Sequence, residues 1–378
     1  MSREPLRTFV ASFANLPDPR MHRTRKHKLL DIVTIAVCAI VGGADTFTEI
    51  AEYGRAKEQW LRGFLALPNG IPSHDTFGRV FALLEPERFE TCFLEWVLQG
   101  LGPVSNHQIA LDGKTLRRSH ERGKGKGPLH LVSAWATEAG VALGQIKVAD
   151  HENEIVALPA LLDQVVVPGA VITIDAMGCQ RAIAKQIVEA GGEYVLALKG
   201  NQPALHQAVT YLFTDGLATG FTVNQLNYHR DVDGGHGRVE RRECWAVADP
   251  VFTQYLDPQG RWPGLQSVVM VKTQRTTGDS VQAETRYYLS SLPPQAKRLN
   301  AIVRTHWRIE NQLHWVLDVA FDEDQCRIRT GFADQNFAML RRMAISLLGQ
   351  DKSVKLGVKA KRLRAGWDND FLLRLLTQ

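Results

Sequence analysis

Apolar residues in the first part of the chain recur at three- and four-residue steps, which is the spacing of amphipathic helices. Four segments show the pattern: residues 29–44, residues 46–65, a run that opens at Ser73, and residues 86–101. Ser73 is a favoured residue for capping a helix N-terminus. The pattern therefore predicts a small helical domain over residues 1–104.

The short connection between the predicted helix before Ser73 and the helix that begins there leaves two interpretations of this domain open. A tight turn followed by a helix with His74 and Arg79 on its first turns is compatible with a helix-turn-helix that enters a major groove. The same pattern is compatible with a bundle that only packs against the rest of the protein. The spacing does not favour one over the other.

From residue 105 onward the pattern alternates strands and helices. Three apolar strand candidates come first, and their connections are short enough for antiparallel neighbours: residues 108–112, 129–137 and 141–149. A helix, a strand, a second helix and a further strand follow, at residues 154–165, 170–174, 181–190 and 193–198. This is the ribonuclease-H-like order, so the expected fold class is α/β with a ribonuclease-H-like mixed sheet.

The later part of the chain departs from this alternation. Residues 214–295 contain strand-like segments joined by polar, Gly-rich loops, so they predict a β-rich insertion in a domain that spans residues 105–345. A long helix is expected over residues 299–319. Residues 346–378 have the composition of a basic C-terminal tail.

Two carboxylates follow apolar strands directly. Asp112 comes after the apolar residues 109–111, and Asp175 comes after the strand at 170–174. If these strands are neighbours in the sheet, the two carboxylates lie close together although they are distant in the chain. Glu310, within the long predicted helix, is the candidate for a third acid that joins them.

Four polar side chains follow one face of that helix, since His306, Glu310, His314 and Asp318 recur at four-residue steps. Exposed helix charge is the more common explanation for any one of them. Three acids in such contexts, however, fit a site for two Mg²⁺ ions, because Mg²⁺ prefers oxygen ligands. Mn²⁺ is expected to substitute.

Cations are unevenly distributed along a chain of net charge +5. Residues 1–28, 112–126 and 351–378 each hold six or seven Lys and Arg against two or three acids. Lys114, Arg117 and Arg118 lie directly after Asp112. Clustered cations indicate a polyanion partner, although solvated faces explain them equally well.

Composition excludes several other classes of protein. The longest apolar run, residues 32–44, is too short to span a bilayer, and no signal peptide precedes it. The five cysteines have no paired spacing, so neither a disulfide framework nor a zinc site is predicted. A cytoplasmic protein without a membrane partner is expected.

Several motifs resemble one family closely and in order along nearly the whole chain. They are LDGKTLRRS (111–119), TIDAMGCQ (173–180), YVLALKGNQP (194–203) and HWRIENQLHWVLDVAFDEDQCRIR (306–329). The sequence is similar to the DDE transposases of the H-repeat-associated (ISAs-type) branch, within the wider IS-four-like superfamily. The N-terminal helices resemble the domain associated with that branch.

The resemblance implies a divalent-metal triad at Asp112, Asp175 and Glu310. The DNA contacts predicted with it are Lys114, Arg117, Arg118, Lys199, His306, Arg308 and His314. The wider superfamily carries a Tyr–Arg–Glu–Lys signature around its glutamate, and this chain departs from it. His306 stands at the position of the arginine and Leu317 at that of the lysine.

The resemblance implies a transposase that cleaves DNA at insertion-sequence ends and joins the freed strand to target DNA. Its partner is then double-stranded DNA, bound by a homodimer that assembles on the element's terminal inverted repeats, in the nucleoid. A catalytically silent DNA-binding relative is the main alternative. A general ribonuclease-H-like nuclease, which would degrade DNA without joining it, is a third.

Overall fold

The computed structural model describes residues 6–101, 107–120, 127–149, 152–165, 167–221, 226–235 and 237–377. Part of the predicted basic run after Asp112, residues 121–126, lies outside these ranges. The chain divides into two compact units. Unit 1 comprises Met1–Val104, Gly113–Glu152 and Glu310–Gln378, and unit 2 comprises Ser105–Asp112 and Asn153–Ile309.

Unit 1 is mainly helical. Its N-terminal helices are α1 Arg7–Phe13, α2 Leu29–Val41, α3 Phe47–Ala56, α4 Glu58–Leu61, α5 His74–Leu83 and α6 Pro86–Leu101. Its C-terminal helices are α12 Trp315–Phe321, α13 Ala333–Gln350, α14 Val358–Trp367 and α15 Asn369–Leu376. Short 3₁₀ turns occur at His22–Thr24 and Glu323–Gln325, and a π-helical turn spans Ile309–His314.

The core of unit 1 forms around two almost fully buried helices, α2 and α13. Helix α13 packs against α2, α5, α6 and the strand β3 (Val141–Val148). Buried polar side chains fix this packing, since Ser346 Oγ accepts from the Ala142 N–H at 3.1 Å. The predicted helical N-terminal region is confirmed, and Ser73 caps α5 as expected, with its Oγ accepting from Thr76 N.

Unit 2 is mixed α/β. Its helices are α7 Glu154–Val165, α8 Arg181–Glu189, α9 Pro203–Thr219, α10 Pro250–Leu256 and α11 Ala296–His306. Its strands are β4 Val171–Ile174, β5 Glu193–Leu198, β6 Leu226–Gly235, β7 Arg238–Val247, β8 Ser267–Thr277 and β9 Ser280–Ser290. Gly191 follows α8 with φ +79°, a left-handed conformation that is common directly after a helix.

The strands follow the order β3-β2-β1-β4-β5-β9-β8-β7-β6, where β1 is Gln108–Thr115 and β2 is His130–Ala136. Strands β2 and β3 are antiparallel, and β1, β4 and β5 are parallel neighbours. The first five strands thus have the predicted ribonuclease-H-like order, so the expected mixed α/β fold is confirmed. The division between the units falls inside β1, after Asp112.

The β-rich segment extends this sheet. Strand β9 pairs antiparallel with β5, from Val195 opposite Ser290 to Leu198 opposite Tyr287, and β8, β7 and β6 continue outward as antiparallel neighbours. Helix α11 covers this part of the sheet, and its Leu299, Ile302 and Val303 belong to the buried cluster there.

Three elements differ from their predicted form. Residues 46–65 form two helices, because Lys57 leaves the helical region at φ −106°. The helix predicted over 299–319 is α11, a π-helical turn and α12 in succession. Residues 346–378, expected as a basic tail, include the end of α13 and the two further helices α14 and α15.

None of the described helices is long and apolar enough to cross a membrane.

Candidate active site

Asp112 and Asp175 lie at neighbouring positions of parallel strands in unit 2. Strands β1 and β4 pair in register from Gln108 opposite Val171 to Leu111 opposite Ile174. Asp112 is the next residue of β1, and Asp175 directly follows the end of β4. Both carboxylates are half-buried. Strand β1 does not end at Asp112 as predicted but continues to Thr115. The predicted closeness of the two aspartates follows from this register.

The turn after Asp175 is held in place by hydrogen bonds. Asp175 Oδ1 accepts from the Met177 N–H at 3.0 Å, so the carboxylate caps its own turn. Asn201 donates to the Ala176 carbonyl, and Gln202 Nε2 donates to the Cys179 carbonyl at 3.1 Å. The loop after β5 therefore fixes the loop after β4.

Lys199 is the first residue after β5, and it is exposed. Since β1, β4 and β5 are parallel, their carboxyl ends share one edge of the sheet. The lysine therefore belongs to the same edge of unit 2 as Asp112 and Asp175.

His306, at the end of α11, is tied to the strand that carries Asp175. Its Nδ1 lies 2.9 Å from the Thr173 hydroxyl, two residues before Asp175. Gln108 Nε2 donates to the Ile302 carbonyl one turn earlier in α11, at 2.9 Å. Two side-chain contacts thus fasten α11 to β1 and β4. The partner Thr173 was not recognised from sequence, because a threonine within a β-branched strand gives no separate signal.

Glu310 and His314 form a pair within unit 1. The first residue of the π-helical turn after Ile309 is Glu310, and His314 Nδ1–H donates to its Oε2 at 3.2 Å. The glutamate side chain is 54% exposed, whereas the histidine side chain is buried. The hydrogen bond from His314 lowers the pKa of Glu310, and the Lys114 charge acts in the same direction. These contacts favour the ionised form of Glu310.

Lys114 is a buried cation of unit 1 whose charge acts on Glu310. Its Nζ lies 2.5 Å from Asp318 Oδ1 and 3.6 Å from Asp324 Oδ1, and its side chain is only 8% exposed. Burial raises the pKa of Asp318, and the lysine partly offsets that rise. Asp324 was missed by sequence reasoning, because nothing distinguishes it from the other acids of its loop.

The remaining predicted cations are exposed. Arg117 Nε lies 3.2 Å from Asp324 Oδ2, and Arg118 offers its carbonyl to Arg329 Nη2 at 2.8 Å. Arg308, between α11 and the π-helical turn, is also exposed. These positions leave their guanidinium groups accessible to a polyanion, but the predicted DNA contacts stay predictions.

The predicted site residues therefore fall into two groups. Unit 2 holds Asp112, Asp175, Lys199, His306 and Arg308, and unit 1 holds Lys114, Arg117, Arg118, Glu310 and His314. The pairing of the two aspartates and the pairing of Glu310 with His314 are each internal to one unit. The meeting of all three acids stays a prediction.

Comparison with known families supports the resemblance. Residues 106–347 match the family described as "Transposase DDE domain", and residues 10–97 match the family described as "DDE_Tnp_1-associated". Among solved structures, the piggyBac transposase synaptic complex with hairpin DNA is similar at a TM-score of 0.41 and 10% identity, over 99% of this chain and 81% of that one.

Similar proteins are known from Escherichia coli and Xanthobacter autotrophicus. "Putative transposase YncI" of Escherichia coli O157:H7 is 38% identical over 96% of this chain and 92% of its own. "H repeat-associated putative transposase YhhI" of Escherichia coli K12 is 34% identical over 98% of both chains. A protein of Xanthobacter autotrophicus, "Uncharacterized protein in dhlA 3'region", is 47% identical over 74% of this chain and 92% of its own. The chain therefore belongs to the transposase DDE domain family.

Proposed function

We propose that the protein is an active DNA transposase in which Asp112, Asp175 and Glu310 form one catalytic group. Its reaction is hydrolysis of a phosphodiester at each end of an insertion sequence, followed by attack of the freed 3′-hydroxyl on target DNA. The partner is double-stranded DNA, namely the element's terminal inverted repeats and the target, bound by a homodimer. Attachment to DNA makes the protein nucleoid-associated.

The observation that carries the proposal is the register of β1 and β4. It brings two half-buried carboxylates to the end of one paired region, where both could be ligands of a bound cation. Oxygen-only donors of this kind fit Mg²⁺ or Mn²⁺ better than softer metals. When bound, two such ions supply an activated attacking oxygen and a stabilised leaving oxygen.

Glu310 is proposed as the third acid on the basis of its charge state and its place in the chain. Its pKa is lowered, by the hydrogen bond from His314 first and by Lys114 as well, so it is available as a carboxylate at neutral pH. Lys114 is only two residues beyond Asp112 on strand β1. The proposal is that this strand brings Asp112 to Glu310.

The cations have separate roles in the proposal. The exposed side chains of Lys199, Arg117, Arg118 and Arg308 are assigned to DNA phosphates, which orient a duplex without reading its sequence. His306 takes the place of the superfamily's arginine beside the scissile phosphate. Lys114 is buried and paired with Asp318, so its role is to hold Asp318 in place. It can reach a phosphate only if that salt bridge opens.

The experiment measures strand cleavage and joining on DNA that carries the inverted repeats flanking the coding region. In Mg²⁺ the wild-type chain is expected to cut at the repeat ends and join them to a target. D112N, D175N and E310Q should each reduce cleavage by about a thousandfold or more, because several kcal/mol of charge stabilisation are lost. Binding to the ends should persist in all three.

Asp279→Asn is the matched control, since this exposed acid lies in the hairpin tip between β8 and β9. It should cleave like the wild type. Retained cleavage in D112N, D175N or E310Q would defeat the triad. End binding without cleavage by the wild type in either metal would identify a catalytically silent relative, and degradation without end specificity would identify a general nuclease.

A further inference from the structure

Unit 1 contains a pocket of about 740 Å³ that the proposed catalytic group does not use. It is lined by residues 45–48 at the start of α3, by residues of α5 from His74 to Ala82, by residues of the segment 322–330, and by Arg341 of α13. A volume of this size is within the range of small-molecule sites.

Arg341 is the unusual member of the lining. It is 1% exposed, yet its Nε and Nη1 have no hydrogen-bond acceptor among the described residues. Its guanidinium lies over the Phe337 ring at 4.6 Å from the centroid. A buried cation with unmet donors is costly unless something supplies acceptors.

The adjacent arginine, Arg342, is also buried, and its Nε and Nη1 have acceptors, whereas its Nη2 has none among the described residues. Arg342 Nη1 donates to Glu323 Oε1 at 3.0 Å, and Arg342 Nε donates to the Ser133 hydroxyl at 3.3 Å. Among the described residues, no carboxylate accepts a hydrogen bond from Arg341. Asp45, on which the Arg341 charge acts, is bound by Arg362 Nη2 at 2.6 Å.

The rest of the lining combines cations with an apolar surface. Arg79, Arg327 and Arg329 contribute positive charge, and Phe47 and Ile328 contribute apolar surface. The carboxylates in the lining are Asp45, Asp75 and Asp322, of which Asp75 lies 3.4 Å from His74. A ligand that suits this lining carries an anionic group with several acceptor oxygens and a flat or apolar part.

We propose that this pocket binds a nucleotide, with a phosphate against the guanidinium of Arg341 and the base against Phe47 and Ile328. Arginine is suited to this contact because its planar fork matches phosphate oxygens. Two sources share this chemistry: a free nucleotide, and a nucleotide at the end of a DNA strand. The proposal does not depend on strand cleavage, because no member of the proposed catalytic triad lines the pocket.

The test uses thermal unfolding and calorimetric titration of the full chain with dAMP. Saturating dAMP should raise the wild-type Tm by about 2–5 °C. Arg341→Met keeps the aliphatic stem over Phe337 but removes the guanidinium, so it should lose this response. Without ligand, the Tm of R341M should equal or exceed that of the wild type, because an unmatched buried charge is gone.

Two further variants make the result specific. Gly78→Leu extends a side chain from α5 into the pocket, where a Cβ would meet Phe47 at an ordinary 3.6 Å, and it should also lose the response. Arg88→Met removes an arginine that is 68% exposed and outside the lining, and it should respond like the wild type. D112N should respond fully, so failure of the cleavage proposal would not affect this one.

A competition experiment distinguishes a free nucleotide from a nucleotide at the end of a DNA strand. If the ligand is a strand end, a 5′-phosphorylated single-stranded oligonucleotide should displace dAMP at a lower concentration than the same oligonucleotide without its phosphate. If the ligand is free, dAMP binding should be unaffected by either oligonucleotide. A dAMP response retained by R341M and G78L, no response by the wild type, or a lower Tm of R341M without ligand would overturn the assignment.

Discussion

At the scale of single residues, His314 is the side chain whose removal tests how Glu310 is prepared. Buried in unit 1, it donates to Glu310 at 3.2 Å and so orients the carboxylate. Outer partners of this kind typically change metal affinity by tenfold to a hundredfold when removed. We expect His314→Leu to need about ten to a hundred times more Mg²⁺ for half-maximal cleavage, with the saturated rate close to that of the wild type.

The conservative change His314→Gln retains a donor and should recover part of the metal affinity. Val319→Ala, at a position of α12 that is 47% exposed, is the control and should leave the Mg²⁺ requirement unchanged. An unchanged requirement in H314L, or a rate that no Mg²⁺ concentration restores, would contradict a positioning role for His314.

At the scale of elements, Glu90 couples α6 to β3 in a way that depends on pH. This carboxylate of α6 is 6% exposed, and it accepts from the backbone N–H of Gln145 in β3. Burial raises its pKa to about 8. The folded state therefore binds the proton more tightly than the unfolded state, so the stabilisation is complete below the unfolded pKa near 4.5 and is lost as pH rises toward 8.

The prediction is that the free energy of unfolding falls by on the order of a few kcal/mol between pH 5 and pH 8. Glu90→Gln can accept the same hydrogen bond without titrating, so it should remove most of that fall. Urea unfolding at several pH values between 5 and 8 measures the free energy of unfolding of both proteins. Glu87→Gln, on the same helix but exposed, should keep the wild-type profile.

The elements also show which features a sequence pattern can predict. Buried strands such as β4 and β5 are continuous apolar runs, so they were predicted close to their observed bounds. Strand β6 gives no strand signal in the sequence, because most of its residues are exposed on both faces and no apolar alternation results. The π-helical turn at Ile309–His314 was read as ordinary helix, because one wider turn does not disturb an apolar stripe.

Charge was the least informative guide to the C-terminal elements. Arg362 belongs to the stretch predicted as a solvated tail, yet it is 4% exposed. It donates to the carbonyls of Ile40, Ala44 and Ala320 and pairs with Asp45. A buried arginine is indistinguishable in sequence from a surface one, because burial depends on carbonyls that distant helices supply.

At the scale of the whole molecule, predicting the candidate site depended on how far apart its parts lie in the chain. The closeness of Asp112 and Asp175 could be predicted, because the order of the strands alone makes the two strand ends neighbours. The salt bridge from Lys114 to Asp318 could not, because those residues lie on a strand and on a late helix with no shared pattern. Helix packing, which sequence periodicity does not encode, decides such pairs.

The distribution of charge over the whole chain makes one further prediction for DNA binding. If exposed cations contact phosphates, the logarithm of the binding constant falls linearly with the logarithm of salt concentration, by about 0.9 per phosphate contacted. Arg117→Ala with Arg118→Ala should therefore make the slope about 2 units shallower and weaken all DNA sequences alike. Fluorescence anisotropy on a labelled repeat end between low and moderate salt measures the slope.

The matched control for this double variant is Arg55→Ala with Arg88→Ala. These arginines are 49% and 68% exposed, and each lies beside a glutamate of its own helical segment. The control variant removes the same amount of positive charge as R117A/R118A. A change in the salt slope that occurs only in R117A/R118A would therefore reflect lost phosphate contacts. An equal change in both double variants would mean that the protein's net charge, spread over its surface, governs binding, and the assignment of Arg117 and Arg118 to DNA would then be wrong.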